Sequence, residues 1–171
     1  PSRFIYRTNN RDGYFSLYLC EAATGKVLKR LTDVNADVEM VGQDDKFVYY
    51  TSAEVSPVDN HLFRVEVKSG KKTRLTQAEG WHKVTMSGDM KYFVDNYSSL
   101  KVPRVILLVQ NDGKKVKELL KAEDPTKDYN FGEITLGTVK SADGKFNNYY
   151  RLIKPMNFDA SRKYPVIVYV Y

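Results

Sequence analysis

The sequence predicts an all-β fold: a partial β-propeller of about two and a half four-stranded blades, followed by the first strands of an α/β sheet. Three observations carry that expectation. A segment of about 45 residues recurs along the chain. Each period holds short strand-like runs separated by Asp, Gly and Asn turns. The period stops after Leu120, where a different succession of strands begins.

The clearest copies run from Leu17-Tyr18-Leu19-Cys20 through Gly25-Lys26 to Arg30-Leu31-Thr32, and from Leu62-Phe63-Arg64-Val65 through Gly70-Lys71 to Arg74-Leu75-Thr76. A weaker third copy joins Val105-Ile106-Leu107-Leu108-Val109 to Gly113-Lys114 and Glu118-Leu119-Leu120. Between them, Gln43-Asp44-Asp45-Lys46-Phe47 resembles Ser87-Gly88-Asp89-Met90-Lys91-Tyr92. The middle period therefore places strands at about 38–42, 46–52, 61–67 and 72–76. The first period, 3–32, lacks an innermost strand. A β-sandwich with accidental similarity is the competing architecture, but it does not call for Gly-Lys and Leu-Thr at near-constant spacing. A propeller closes with roughly four to eight blades, and an incomplete one leaves sheet edges unpaired. The sequence is therefore expected to be a piece of a longer protein.

After Leu120 the run Lys121–Asp128 is polar and contains Pro125, a connector with room for one short helical turn. Glu133–Lys140 reads as a strand, Asp143-Gly144 as the centre of a turn, and Asn148–Lys154 as the partner strand, which Pro155 ends. A loop, Asn157–Lys163, delivers the chain to Tyr164–Tyr171. That uncharged β-branched and aromatic run is expected to be a buried strand covered on both faces. The domain boundary is thus expected between blades at 1–132 and a second domain beginning at 133–171. Chain ends seldom coincide with an apolar strand, a second reason to expect further sequence.

Composition narrows the function classes. The chain has 13 Tyr and 8 Phe, and no apolar run is long enough for a membrane helix. The formal charge of +6 is scattered over turns and strand faces, which fits a solvated surface and no nucleic-acid stripe. Cys20 lies in an apolar run and is the single cysteine, so it reads as a small buried hydrophobe. No Cys, His or carboxylate cluster has metal spacing and no Gly-rich phosphate loop follows a strand, so no metal or cofactor is expected. Asn96-Tyr97-Ser98 fits a glycosylation sequon and is read as a turn. No Gly-x-Ser-x-Gly elbow occurs, and Ser87 lacks the preceding glycine. His61 and His82 lie in blade segments and are expected to be strand-edge or loop residues, not bases.

The strand pair ending in Lys154-Pro155, the run Asn157-Phe158-Asp159-Ala160-Ser161-Arg162-Lys163-Tyr164-Pro165 and the apolar strand after it carry a family signature. With them, the chain resembles the domain junction of the prolyl oligopeptidase family. Its Trp81-His82 blade start and its repeats are most similar to bacterial dipeptidyl peptidase IV enzymes. The resemblance covers essentially the whole chain.

It implies a serine exopeptidase in two parts, a propeller capping an α/β-hydrolase domain, with the active site in the cavity between them. Residues 1–132 would be C-terminal blades, and 133–171 the start of the hydrolase domain. The implied substrates are peptides with penultimate Pro or Ala, from which N-terminal dipeptides are released. By position, Tyr171 would donate its hydroxyl to the oxyanion of the tetrahedral intermediate. A preoriented donor there suits such a site. The triad is expected beyond Tyr171 and the amine-binding acids and arginine before Pro1, so the chain alone is expected to be inert. The resemblance also admits a homodimeric parent and points to the periplasm or cell envelope. Two alternatives stay open: a prolyl tripeptidyl peptidase, or a non-catalytic propeller serving as a binding or scaffold module.

Overall fold

The computed structural model describes residues 2–170, and each of its sheets is an antiparallel meander of strands adjacent in sequence. The first holds β1 (Arg3–Thr8), β2 (Ser16–Glu21) and β3 (Val27–Arg30). The second holds β4 (Val38–Gln43), β5 (Phe47–Ser52), β6 (His61–Glu66) and β7 (Lys72–Arg74). The third holds β8 (Trp81–Met86), β9 (Tyr92–Ser98), β10 (Val105–Gln110) and β11 (Lys115–Lys121). A separate hairpin pairs β12 (Ile134–Lys140) with β13 (Asn147–Ile153). No helix occurs among the described residues. Three successive up-and-down sheets, one of three strands and two of four, are the expected blades.

The repeated residues have repeated physical jobs. Gly25, Gly70 and Gly113 sit at φ +70°, +79° and +93°, a left-handed conformation that an L side chain disfavours. Each closes a hairpin, its N–H donating to the carbonyl of Glu21, Glu66 or Gln110. The Leu-Thr pair then extends the outer strand. The Leu31 and Leu75 N–H groups donate to the carbonyls of Leu17 and Leu62, both at 2.8 Å. Thr32 Oγ1 accepts from the Leu17 N–H at 2.9 Å, and Thr76 Oγ1 from the Leu62 N–H at 3.0 Å. A buried amide without that hydroxyl would cost about 1–3 kcal/mol. The third copy has no threonine; there β11 continues as a ladder, with two register shifts against β10.

The β8–β9 and β12–β13 turns are chemically the same. In one, Ser87 Oγ donates to Asp89 and accepts from the Tyr92 N–H; in the other, Ser141 Oγ donates to Asp143 and accepts from the Phe146 N–H. The left-handed position is Gly144 (φ +72°) in the second but Met90 (φ +56°) in the first. The Met90 side chain packs against the apolar cluster between the second and third sheets. Gly42 leaves it room, since a Cβ there would stand 2.6 Å from the Met90 sulfur.

Strand alternation divides β5 and β6 between two interfaces. Val48, Tyr50, Phe63 and Val65 face Leu17, Leu19 and Leu31 of the first sheet. Tyr49 and Leu62 face Phe93 and Val109 of the third. Cys20 is buried, as a small hydrophobe should be. Around Tyr49 a polar chain joins the second and third sheets. The Tyr49 hydroxyl donates to Asp44 at 2.8 Å, the Asn111 amide donates to that hydroxyl at 3.3 Å, and Arg64 donates to the Asn111 carbonyl at 2.8 Å. Burial, and then the Asp44 carboxylate, push the Tyr49 hydroxyl up to about 12.

The chain divides into two compact units between Glu123 and Asp124. In the second unit the hairpin runs from Ile134 opposite Ile153 to Lys140 opposite Asn147. The Tyr150 ring lies over Gly137, where a Cβ would come within 2.5 Å of it. Lys154 pairs with Glu133 at 2.7 Å, and Phe158 stacks on Tyr164. Over the described residues 164–170 the expected buried strand is not formed, and Tyr171 lies outside the described residues. Residues 163–170 carry no ladder, and Val166 to Val170 are 76–97% exposed. A β-branched run becomes a strand only beside a neighbouring strand that extends its ladder, and no strand among the described residues forms a ladder with 163–170.

Candidate functional site

The first unit carries a groove of about 600 Å³ assembled from three distant parts of the sequence. Arg7 of β1, Tyr14 of the β1–β2 turn, Glu39 of β4, Asn60 and Trp81 of β8 line it. Arg7 is held by three contacts. Its Nε donates to the Val38 carbonyl at 2.6 Å, its guanidinium pairs with Glu39 at 2.8 Å, and its plane lies 3.9 Å from the Phe15 ring centroid. Asp37 is fixed by accepting from the Phe15 N–H at 2.8 Å. Trp81 stays 55% exposed, a large apolar surface at the lip of the groove. A mostly apolar lining with a few polar side chains beside an accessible indole suits binding.

Beside the groove lies the most concentrated set of ionisable groups in the interior. His61, His82 and Asp95 are all buried. His82 Nδ1 stands 2.8 and 2.9 Å from the two Asp95 oxygens, and its Nε2 stands 2.8 Å from the Ala78 carbonyl. Both partners only accept, so the ring that satisfies both is the imidazolium, donating from each nitrogen. His82 also stacks on Tyr97 at 4.6 Å and lies 5.1 Å from the His61 ring. His61 Nδ1 meets Thr76 Oγ1 at 3.1 Å. Burial, then the neighbouring His82, then Arg74 hold His61 below the ordinary imidazole range, against smaller opposing effects of Asp59 and Asp95.

A histidine oriented by an aspartate is two-thirds of a hydrolytic triad, yet this pair is not one. A general base must offer its second nitrogen to a nucleophile, and here Nε2 is committed to the Ala78 carbonyl in a closed interior. Both histidines lie within strands, His61 opening β6 and His82 second in β8. No cluster of metal-ligating side chains occurs among the described residues. Tyr171, the proposed oxyanion donor, lies outside the described residues. The His82–Asp95 pair was not anticipated from sequence. Its signal was Asp95 itself, a carboxylate inside the apolar strand run Phe93-Val94-Asp95.

A family model, the N-terminal region of dipeptidyl peptidase IV, matches residues 1–104. The chain belongs to the dipeptidyl peptidase IV family. Human dipeptidyl peptidase 8 is 30% identical over 137 residues, covering 74% of this chain and 15% of that protein. A solved structure from Bacteroides ovatus, described as a dipeptidyl aminopeptidase IV, is 37% identical with a TM-score of 0.87, over 100% of this chain and 27% of that one. Porphyromonas gingivalis dipeptidyl peptidase 4 is 29% identical with a TM-score of 0.85, over 95% of this chain and 24% of that one. The chain therefore spans about a quarter or less of the proteins of the dipeptidyl peptidase IV family that it matches. The same likeness accounts for the all-β meanders: they are this family's propeller region.

Proposed function

We propose that the chain is part of a serine-type exopeptidase that releases N-terminal dipeptides from peptides with penultimate Pro or Ala. The observation that carries this reading is the likeness over the whole chain to the Bacteroides ovatus protein, at 37% identity and a TM-score of 0.87. Sequence similarity at that level across all three sheets and the hairpin goes beyond a shared fold. In this reading residues 1–132 are propeller blades and 133–171 open the α/β-hydrolase domain. Tyr171 supplies the oxyanion donor, and the parent is a homodimer of the periplasm or cell envelope.

The described residues support a division of labour. They hold binding surface and no nucleophile presented to a base, since the one His–Asp pair is sealed. The nucleophile is therefore supplied by sequence outside this chain. The test is covalent labelling with a fluorophosphonate, which phosphonylates an activated serine and expels fluoride. The full-length protein should take up one equivalent, and residues 1–171 alone none. A full-length protein that takes up none overturns the serine-peptidase reading.

A further inference from the structure

The link between the second and third sheets is fastened at one place. The Asn60 N–H donates to the Gly80 carbonyl at 3.1 Å, and the His82 N–H to the Asn60 carbonyl at 3.0 Å. The Asn60 amide donates to the His82 carbonyl at 2.7 Å, and the Gly80 N–H to Asp59 at 2.9 Å. His82 then draws the link to the third sheet, with the Ala78 carbonyl on one nitrogen and Asp95 of β9 on the other. His61 of β6 lies against the same ring from the second sheet. Gly80 sits at φ +131°, and the chain passes so close to β9 there that a Cβ would stand 2.3 Å from the Ser98 carbonyl, so only glycine fits. The joint is tight, and it holds two imidazoles in contact, with Asp95 on one of them and Asp59 on the Gly80 N–H.

We propose that this joint is proton-controlled: it is closed while the His61–His82 pair carries a single positive charge, on His82, and protonation of His61 as well loosens the 77–86 segment. The geometry sets the sign. In the closed joint His82 has two acceptors and its charge is matched by Asp95. His61 has one polar contact, the Thr76 hydroxyl, whose oxygen already accepts from the Leu62 N–H. That hydroxyl can donate to a neutral His61 but cannot balance a cation. A charge on His61 would face the imidazolium at 5.1 Å in a site closed to water.

The other charged groups around His61 do not offset this. Arg74 opposes a second charge, while Asp59 and Asp95 are each committed, to the Gly80 N–H and to His82. Tyr97 stacks against the His82 ring, and Glu118 of β11 acts on Tyr97. Opening the joint frees His61 to return to an ordinary imidazole value of about 6.5. The open state then binds more protons below that pH. Opening is therefore favoured as pH falls, about tenfold between pH 6.5 and 5.0. Ordinary carboxylates titrate lower, at about 3.9–4.3, so imidazole is the group that changes in this window. Asn60 and Trp81 belong both to the joint and to the groove, so loosening it reshapes the groove wall.

Hydrogen–deuterium exchange on the full-length protein, read by mass spectrometry and corrected for the intrinsic pH dependence of exchange, tests this. Peptides covering 77–86 should show an opening constant about tenfold higher at pH 5.0 than at pH 6.5, with β5 (47–52) unchanged. His61→Gln keeps a partner for Thr76 and removes the titration, so its opening constant should be flat across the same range. A flat response in the wild-type protein overturns the proposal, as does an equal rise in 47–52 or an undiminished rise in His61→Gln.

Discussion

Tyr171→Phe in the full-length protein should lower kcat for Gly-Pro-p-nitroanilide by about 10²–10³-fold while leaving KM nearly unchanged. The hydroxyl proposed for this role meets the substrate only when charge develops on the carbonyl oxygen. Its removal therefore withdraws an interaction made in the transition state and absent from the ground state. Phenylalanine differs from tyrosine by the hydroxyl alone, so the substitution isolates that one donor. Steady-state kinetics on the two proteins, with active-site titration to count competent molecules, would measure it. A change confined to KM, or no change in kcat, would assign Tyr171 a binding or structural role and remove it from the oxyanion site.

Asp95→Ala should be the most destabilising single substitution near the joint, costing about 3–5 kcal/mol. The carboxylate is buried and accepts both of its short contacts from His82 Nδ1. Removing it leaves a buried imidazolium without its counter-charge and a cavity in β9. The measurement is the shift in urea midpoint of the transition that includes the propeller region. Replacing both partners at once, His82→Phe with Asp95→Leu, should cost less than Asp95→Ala alone, because no buried charge is stranded. A cost under about 1 kcal/mol for Asp95→Ala would mean that the pair is not the buried ion pair its geometry describes.

The blades were legible because their signals are local. A glycine at positive φ closes each hairpin, and the Thr32 and Thr76 hydroxyls each satisfy one amide of the adjoining strand, so the repeat can be read within about 15 residues of itself. The hairpin around Asp143-Gly144 was legible for the same reason. Tyr164–Tyr171 was expected to be a buried strand from composition alone. Composition states a preference for a ladder but does not provide the neighbouring strand, and no strand among the described residues extends a ladder along 163–170. The groove was invisible in the sequence because Arg7, Glu39 and Trp81 come from three different sheets. The two histidines were read as strand-edge or loop residues. Their burial depends on cross-strand register, which brings Asp95 diagonally beside His82 through the pairing of His82 with Tyr97 and of Val84 with Asp95.

The measurement closest to the central claim is the identity of the first product. Full-length protein incubated with a free-amine peptide carrying proline at its second position should release the N-terminal dipeptide, seen as a single mass difference. The same peptide with an acetylated N-terminus should be left intact. Release of a tripeptide, cleavage at internal bonds, or an untouched free-amine peptide would contradict the account.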